Sequence, residues 1–334
     1  MGKRLEYIDN LKGLAILLVV IGHLIQFFYS PGNFDENIVF RVIYSFHMPL
    51  FFILSGFVTT FALEPGANIG IKIRKRFVQL IIPFLFWGGY YSLISSRKYI
   101  HIFREPDIGL WFLLVLFDIY IFLLITSRFC YKLGFLKNTK WSFLIQTMVA
   151  YIIIYMMNGI LKGIFGLGLA SQYFPYFALG AIMRTYFNIQ MVCKKKYMIF
   201  WGVLFVALVS FWYRMPSKIP SDAYVFVKYL NSFGCYRFMT ALSGSIFLFI
   251  LFYNYLDKKL LLSFVGKKTL VIYILNYPVI WLVSFFPNNS FHRNIWFSVL
   301  FLVVIMTVAL SIDFLVKRIP IVNTLMLGYS IEKK

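Results

Sequence analysis

The chain has 334 residues, 61% of them hydrophobic, 21% aromatic and only 13% charged, with a mean hydropathy of +0.79. Soluble domains run nearer half apolar and a quarter charged, so a water-soluble core is excluded and a bilayer is the expected solvent. The formal charge of +21 would point to nucleic acid in a soluble protein, but here Lys and Arg fall between apolar runs, where the positive-inside rule accounts for them.

Apolar runs long enough to span a bilayer follow one another along the chain. They are Leu11–Tyr29, Ile38–Leu63, Phe77–Ile94, Leu110–Thr126, Trp141–Asn158, Ser171–Tyr186, Tyr197–Tyr213, Arg237–Tyr255, Thr269–Phe286 and Asn294–Val316. The expected fold class is therefore an all-α membrane protein, a bundle of about ten transmembrane helices forming a single domain over residues 1–334. An inward N-terminus places Lys3, Arg4 and Lys12 on the same side as Lys72 to Arg76, Arg128 to Lys140, Arg184 to Lys196, Lys258 to Lys268, and Lys317, Arg318, Lys333 and Lys334. Both ends are thus expected in the cytoplasm. No small-residue cleavage site follows the first run, which reads as a retained signal anchor. Cys130, Cys193 and Cys235 lack metal or redox spacing, so neither a metal nor a disulfide is expected.

Ionisable residues inside spans are the functional leads, because each costs roughly 2.5–3.5 kcal/mol at a helix centre when charged. They are His23, Arg41, His47, Asp118 and Asp313, with Asp9 and Lys12 at the inner mouth of the first span. Lys12 and His23 are 11 residues apart, close to three helical turns, so they share one face at a separation of roughly 16 Å, with Asp9 near the same stripe. His47, just before Pro49, and Asp118 are expected at a similar depth below the outer surface, so the three groups suggest a reaction chamber at one level. Pro49 should kink its helix and free a carbonyl near Ser45. Each residue also has a plainer reading. His23 can serve as an interhelical hydrogen-bond group, His47 can satisfy backbone freed by Pro49, and Asp118 can be a structural acid. Lys12 can snorkel, Asp313 and Lys317 suit a helix-end ion pair, and Arg74, Lys75 and Arg76 suit a topology cluster.

The segments RLEYIDNLKGLAILLVVIGH and FHMPLFFILSGF, with KIRKRFVQLIIPF, LWFLLVLF, YFPYFALGAI and TLVIYILNYPVIW further on, resemble the membrane-bound acyltransferase 3 family, with a fucose 4-O-acetylase-like, sugar O-acetyltransferase flavour. The resemblance implies an enzyme that takes an acyl group, typically acetyl, from cytoplasmic acyl-CoA and places it on a hydroxyl of a cell-surface polysaccharide or lipid-linked sugar. It implies a multi-pass protein of the bacterial plasma membrane that uses acetyl-CoA as a donor substrate and binds no cofactor. Its partners are the bilayer, acyl-CoA and a glycan acceptor, with no nucleic acid.

The family's basic-residue and histidine motif falls on Lys12 and His23, with Lys where the family usually has Arg, and its second-span motif falls on His47. The inner-loop basic motif falls on Arg74 and Arg76, with Gln79 at a position often occupied by Arg. The WFL pattern falls on Trp111. Asn276 stands where many members have histidine, so no base is assigned there. Catalytic roles are thus expected for His23, His47 and Asp118, donor binding for Lys12, Arg74, Lys75 and Arg76, and acceptor binding for Asp9, Arg41 and Trp111. His23 would serve as general base or accept the acyl group transiently; buried, its ring stays neutral, the form a base needs. A transporter or flippase of lipid-linked sugars is the alternative; it predicts inverted repeats and paired helix breaks, and only the break at Pro49 is apparent.

Overall fold

The computed structural model describes residues 5–29, 33–59, 69–94, 101–104, 110–132, 142–215, 225–284 and 295–329. All regular structure among these residues is helical: α1 (Glu6–Leu24), α2 (Ile38–Thr59), α3 (Ile69–Arg76), α4 (Ile82–Ile94), α5 (His101–Arg104), α6 (Trp111–Lys132), α7 (Ser142–Leu161) and α8 (Leu167–Tyr186). There follow α9 (Ile189–Val192), α10 (Lys195–Val209), α11 (Val225–Ser232), α12 (Gly234–Tyr255), α13 (Leu261–Lys267), α14 (Thr269–Ser284), α15 (Ile295–Val316) and α16 (Pro320–Leu327). Six are long and apolar enough to cross a membrane: α1 with its continuation to Tyr29, α2, α6, α7, α12 and α15. Of the helices at the other expected spans, α4, α10 and α14 are shorter, while α8 has 20 residues, as many as α7. Lys3, Arg4, Lys137, Lys140, Lys333 and Lys334 lie outside the described residues.

The chain forms two compact units. The first joins Met1–Leu54 to Tyr186–Leu310, and the second joins Ser55–Thr185 to Ser311–Lys334. Burial differs sharply between spans: 72% of the apolar window of α2 is buried, against 17% of that of α15. Ile199, Val203 and Val206 on α10 and Ile152 and Met156 on α7 are exposed, as lipid-facing residues should be where the solvent is hydrocarbon.

In the first unit α1 is held at its N-terminal end by α13, a segment expected from its lysines to be a loop. Gly13 lies directly against the Leu262 carbonyl, and Gly266 lies against the Asp9 carbonyl. The reciprocal glycines let two backbones approach without hydrocarbon between them. Asn10 Nδ2 donates to the carbonyls of Leu256 (2.7 Å) and Lys258 (2.8 Å), and Asp257 accepts the Tyr7 N–H at 3.2 Å. These bonds fix the turn between α12 and α13.

Beyond His23 the α1 helix widens into a π turn, Ile25–Tyr29, which shifts the register of the side chains that follow. Helix α2 begins under an Asn37 cap, whose Oδ1 accepts the N–H groups of Val39 and Phe40 at 2.9 and 3.1 Å. It then runs through Pro49 to Thr59. In the second unit, Gly56 near the end of α2 abuts the Phe177 carbonyl of α8. A second π turn, Phe77–Ile81, follows the basic helix α3. The helix-end pair is present, with Lys317 Nζ 2.7 Å from Asp313 Oδ2.

Candidate functional site

His23 sits near the C-terminal end of α1, and its imidazole meets Asn276 of α14, with Nδ1 and the amide Oδ1 2.8 Å apart. The amide's other end is committed, because Asn276 Nδ2 donates to the Tyr273 carbonyl at 2.6 Å. That bond fixes the orientation of the amide, so Oδ1 accepts and His23 Nδ1 carries the proton. Nε2 is left with its lone pair. Asn276 is fully buried, and Phe27 and Tyr277 flank the ring edge-on, each with centroids 6.2 Å away. Asn276, where no base was expected, is therefore the group that orients His23.

His47 is buried on α2. Its Nδ1 donates to the Ile43 carbonyl one turn back at 2.8 Å, not to the Ser45 carbonyl near Pro49. A carbonyl can only accept, so His47 too presents Nε2 as an acceptor. The link between the helices of the two histidines is Tyr44. Its ring lies 4.7 Å from that of His47, and its hydroxyl donates to Gln26 Oε1 at 2.9 Å, one turn beyond His23. Gly22 makes room for the Tyr44 ring against α1. Gln26 Oε1 also accepts from Arg214 Nη1 at 3.3 Å.

Arg41 has a different setting from the histidines. It is buried, and its Nε and Nη2 donate to the carbonyls of Trp212 (2.7 Å) and Ser210 (2.6 Å), with the guanidinium 3.8 Å over the Tyr213 ring. Those donors satisfy the carbonyls just past the end of α10, where a helix lacks internal partners. Toward the other end of α1, Lys12 is half-buried and Asp9 buried.

The remaining expected site residues belong to the second unit. Asp118 projects from α6, and its Oδ2 is buried with no hydrogen-bond partner among the described residues. Trp111, at the start of α6, stacks on Tyr173 at 5.1 Å. Arg74 and Lys75 are exposed on α3. Arg76 turns inward, 5.0 Å over the Tyr120 ring, and donates to Gln79 Oε1 at 2.9 Å. Gln79, inside the π turn, accepts the Arg76 guanidinium, and its backbone carbonyl lies against Gly328 just beyond α16.

Sequence reasoning did not pick out Gln26, Tyr44 or Arg214. The first two carry a local signal, since they stand three residues from His23 and His47 on the same helix faces. Arg214 carries none, because its partners are distant in sequence.

The acyltransferase domain of the acyltransferase 3 family matches residues 5–316. The nodulation protein NolL of Sinorhizobium fredii is 39% identical over 92 residues, 27% of this chain and 24% of that protein. NolL of Mesorhizobium japonicum is 42% identical over 82 residues, 24% of this chain and 21% of that one. The match thus spans about a quarter of the length of these relatives. No solved structure matches. With that domain covering nearly its whole length, the chain belongs to the acyltransferase 3 family.

Proposed function

We propose that this protein is an integral membrane O-acyltransferase of the bacterial plasma membrane. It moves an acyl group, acetyl in the simplest case, from cytoplasmic acyl-CoA to a hydroxyl of a cell-surface polysaccharide or lipid-linked sugar. The observation that carries the reading is the His23–Asn276 pair. A neutral imidazole with its Nδ1 proton pinned and its Nε2 lone pair presented is poised as a general base.

In the proposed step His23 Nε2 takes the proton of the sugar hydroxyl as the oxygen attacks the thioester carbonyl. The C–O ester bond forms, the C–S bond breaks, and the proton passes to the departing CoA sulfur. His47, linked through Tyr44 and Gln26 to the helix that carries His23, stabilises charge at the site. Asp118, whose Oδ2 has no hydrogen-bond partner among the described residues, serves the reaction as an orienting or charge-stabilising group. Arg74, Lys75 and Arg76 bind the nucleotide phosphates, which suit guanidinium forks and ammonium groups. Lys12 marks the donor end of the His23 stripe, and Trp111 and Asp9 contribute to acceptor binding. Arg41 acts indirectly, by holding the loop after α10. In the membrane we propose about ten spans with both ends cytoplasmic, which the distribution of Lys and Arg supports.

The test is transfer of label from radiolabelled acetyl-CoA to surface glycan in membranes carrying wild type, His23→Ala or Arg104→Ala at matched expression. Arg104 is exposed on α5 and serves as control. Loss of transfer by about 10²–10⁴-fold in His23→Ala alone is expected. Normal transfer by His23→Ala would overturn the assignment of the base.

A further inference from the structure

The segment after α10, residues 210–215, is non-helical backbone in which the N–H groups of Ser210, Phe211 and Trp212 turn back onto α10 and polar side chains hold the other backbone groups. Arg41 donates to the carbonyls of Ser210 and Trp212. Asn231 of α11 accepts the Tyr213 N–H at 2.9 Å and donates to the Phe211 carbonyl at 2.6 Å. Arg237 of α12 donates to the carbonyls of Tyr213 (2.8 Å) and Arg214 (3.1 Å). Asp35 accepts the N–H groups of Arg214 (3.1 Å) and Met215 (2.7 Å), one on each carboxylate oxygen. Asp35, Arg41 and Asn231 are all buried. Four side chains thus fix six residues of irregular backbone, and the residue so positioned is Arg214.

The Arg214 side chain is itself oriented. Its guanidinium lies 4.9 Å from the centre of the Tyr44 ring and 5.8 Å from that of Phe34. One N–H rests on Gln26 Oε1 at 3.3 Å. No carboxylate pairs with it among the described residues, since Asp35 is spent on backbone N–H groups. A half-buried guanidinium with no carboxylate partner among the described residues is costly to leave unpaired, and an anionic ligand can supply that partner. A guanidinium laid against aromatic faces keeps its edge for bidentate recognition of a planar or tetrahedral anion. Through Gln26 and Tyr44 it is tied to the helices that carry His23 and His47.

We propose that Arg214 binds an anionic oxygen group, a carboxylate or a phosphate, on the acceptor sugar, and so selects charged glycans and aligns their hydroxyl on His23. This rests on the reading of His23 as the base that receives an acceptor hydroxyl. The rigid loop makes the selection preorganised, which limits the entropy lost when the acceptor docks.

The test uses purified protein in nanodiscs and three small probes, methyl glucoside, methyl glucuronide and glucose 1-phosphate, with binding read by calorimetry. Wild type is expected to bind one charged probe at least about tenfold more tightly than methyl glucoside, the span of a single charge-assisted contact. Preference for the glucuronide assigns a carboxylate, and preference for the phosphate assigns a phosphoryl group. Arg214→Gln is expected to abolish the preference, and Arg214→Lys, which keeps charge but loses the fork, to reduce it. Equal binding of all three probes by wild type, or an unchanged preference in Arg214→Lys, overturns the proposal. Because binding is read without acetyl-CoA, failure here stands apart from failure of the transfer reading, which appears as normal acetyl transfer by His23→Ala. Should Arg214→Gln lose its thermal transition, the wild-type and Arg214→Lys arms decide.

Discussion

His23 owes its direction to one hydrogen bond across 253 residues of sequence. Replacing Asn276 by Ala removes the acceptor and leaves a buried N–H unpaired, a loss of about 1–3 kcal/mol. Transfer kinetics should show kcat falling roughly 10-fold to 100-fold with KM for acetyl-CoA little changed, while Asn276→Asp, which keeps an acceptor oxygen, should retain more activity than Asn276→Ala. A KM effect without a kcat effect would show that Asn276 does not orient the base. The cysteines differ by burial in the same way. Cys193 is 2% exposed, and burial pushes its thiol up to about 12, whereas Cys235 is exposed. At pH 8 Cys193 therefore stays protonated, and the thiolate is the nucleophile. A maleimide in detergent should label Cys235 readily and Cys193 only after unfolding, as read by mass spectrometry of the intact and denatured protein.

At the scale of elements, packing depends on places where backbone touches backbone. A methyl group at Gly13 or Gly266 would collide with the carbonyl of Leu262 or Asp9, neither of which is the end of a flexible side chain. Gly13→Ala should therefore lower the thermal midpoint, by about 1–3 kcal/mol of stability, whereas Gly159→Ala, with open space around it, should leave the midpoint unchanged. The two π turns have a related role, since each follows a motif residue: His23 before Ile25–Tyr29, and Arg76 before Phe77–Ile81. Hydropathy marked both segments as spans, but an inserted residue in the hydrogen-bond ladder leaves no trace in hydropathy. Helices α11, α13 and α16 were similarly hidden. Each is only seven or eight residues long, and α13 and α16 stand beside lysines that read as loop.

For the whole molecule, the proposed orientation is open to a direct test. Reporter fusions at the C-terminal end are expected to be active only as cytoplasmic reporters, and a periplasmic signal from that end would refute the even count of spans. Hydropathy and charge, properties of the string itself, already specified the solvent, the helical class and the six helices among the described residues that are long and apolar enough to cross a membrane. Periodicity also placed Lys12 and His23 on one stripe, because the geometry of a helix is local. Which groups complete the site depends on packing between distant segments. Asn276, not a second histidine, sets the tautomer of His23. Arg41 caps α10, and Arg214 faces Tyr44 and Gln26 because Asp35, Asn231 and Arg237 hold its loop. Those contacts link residues 18 to 253 positions apart, and no local pattern encodes a partner at that distance. Their free energy arises only when the buried polar groups must satisfy one another away from water.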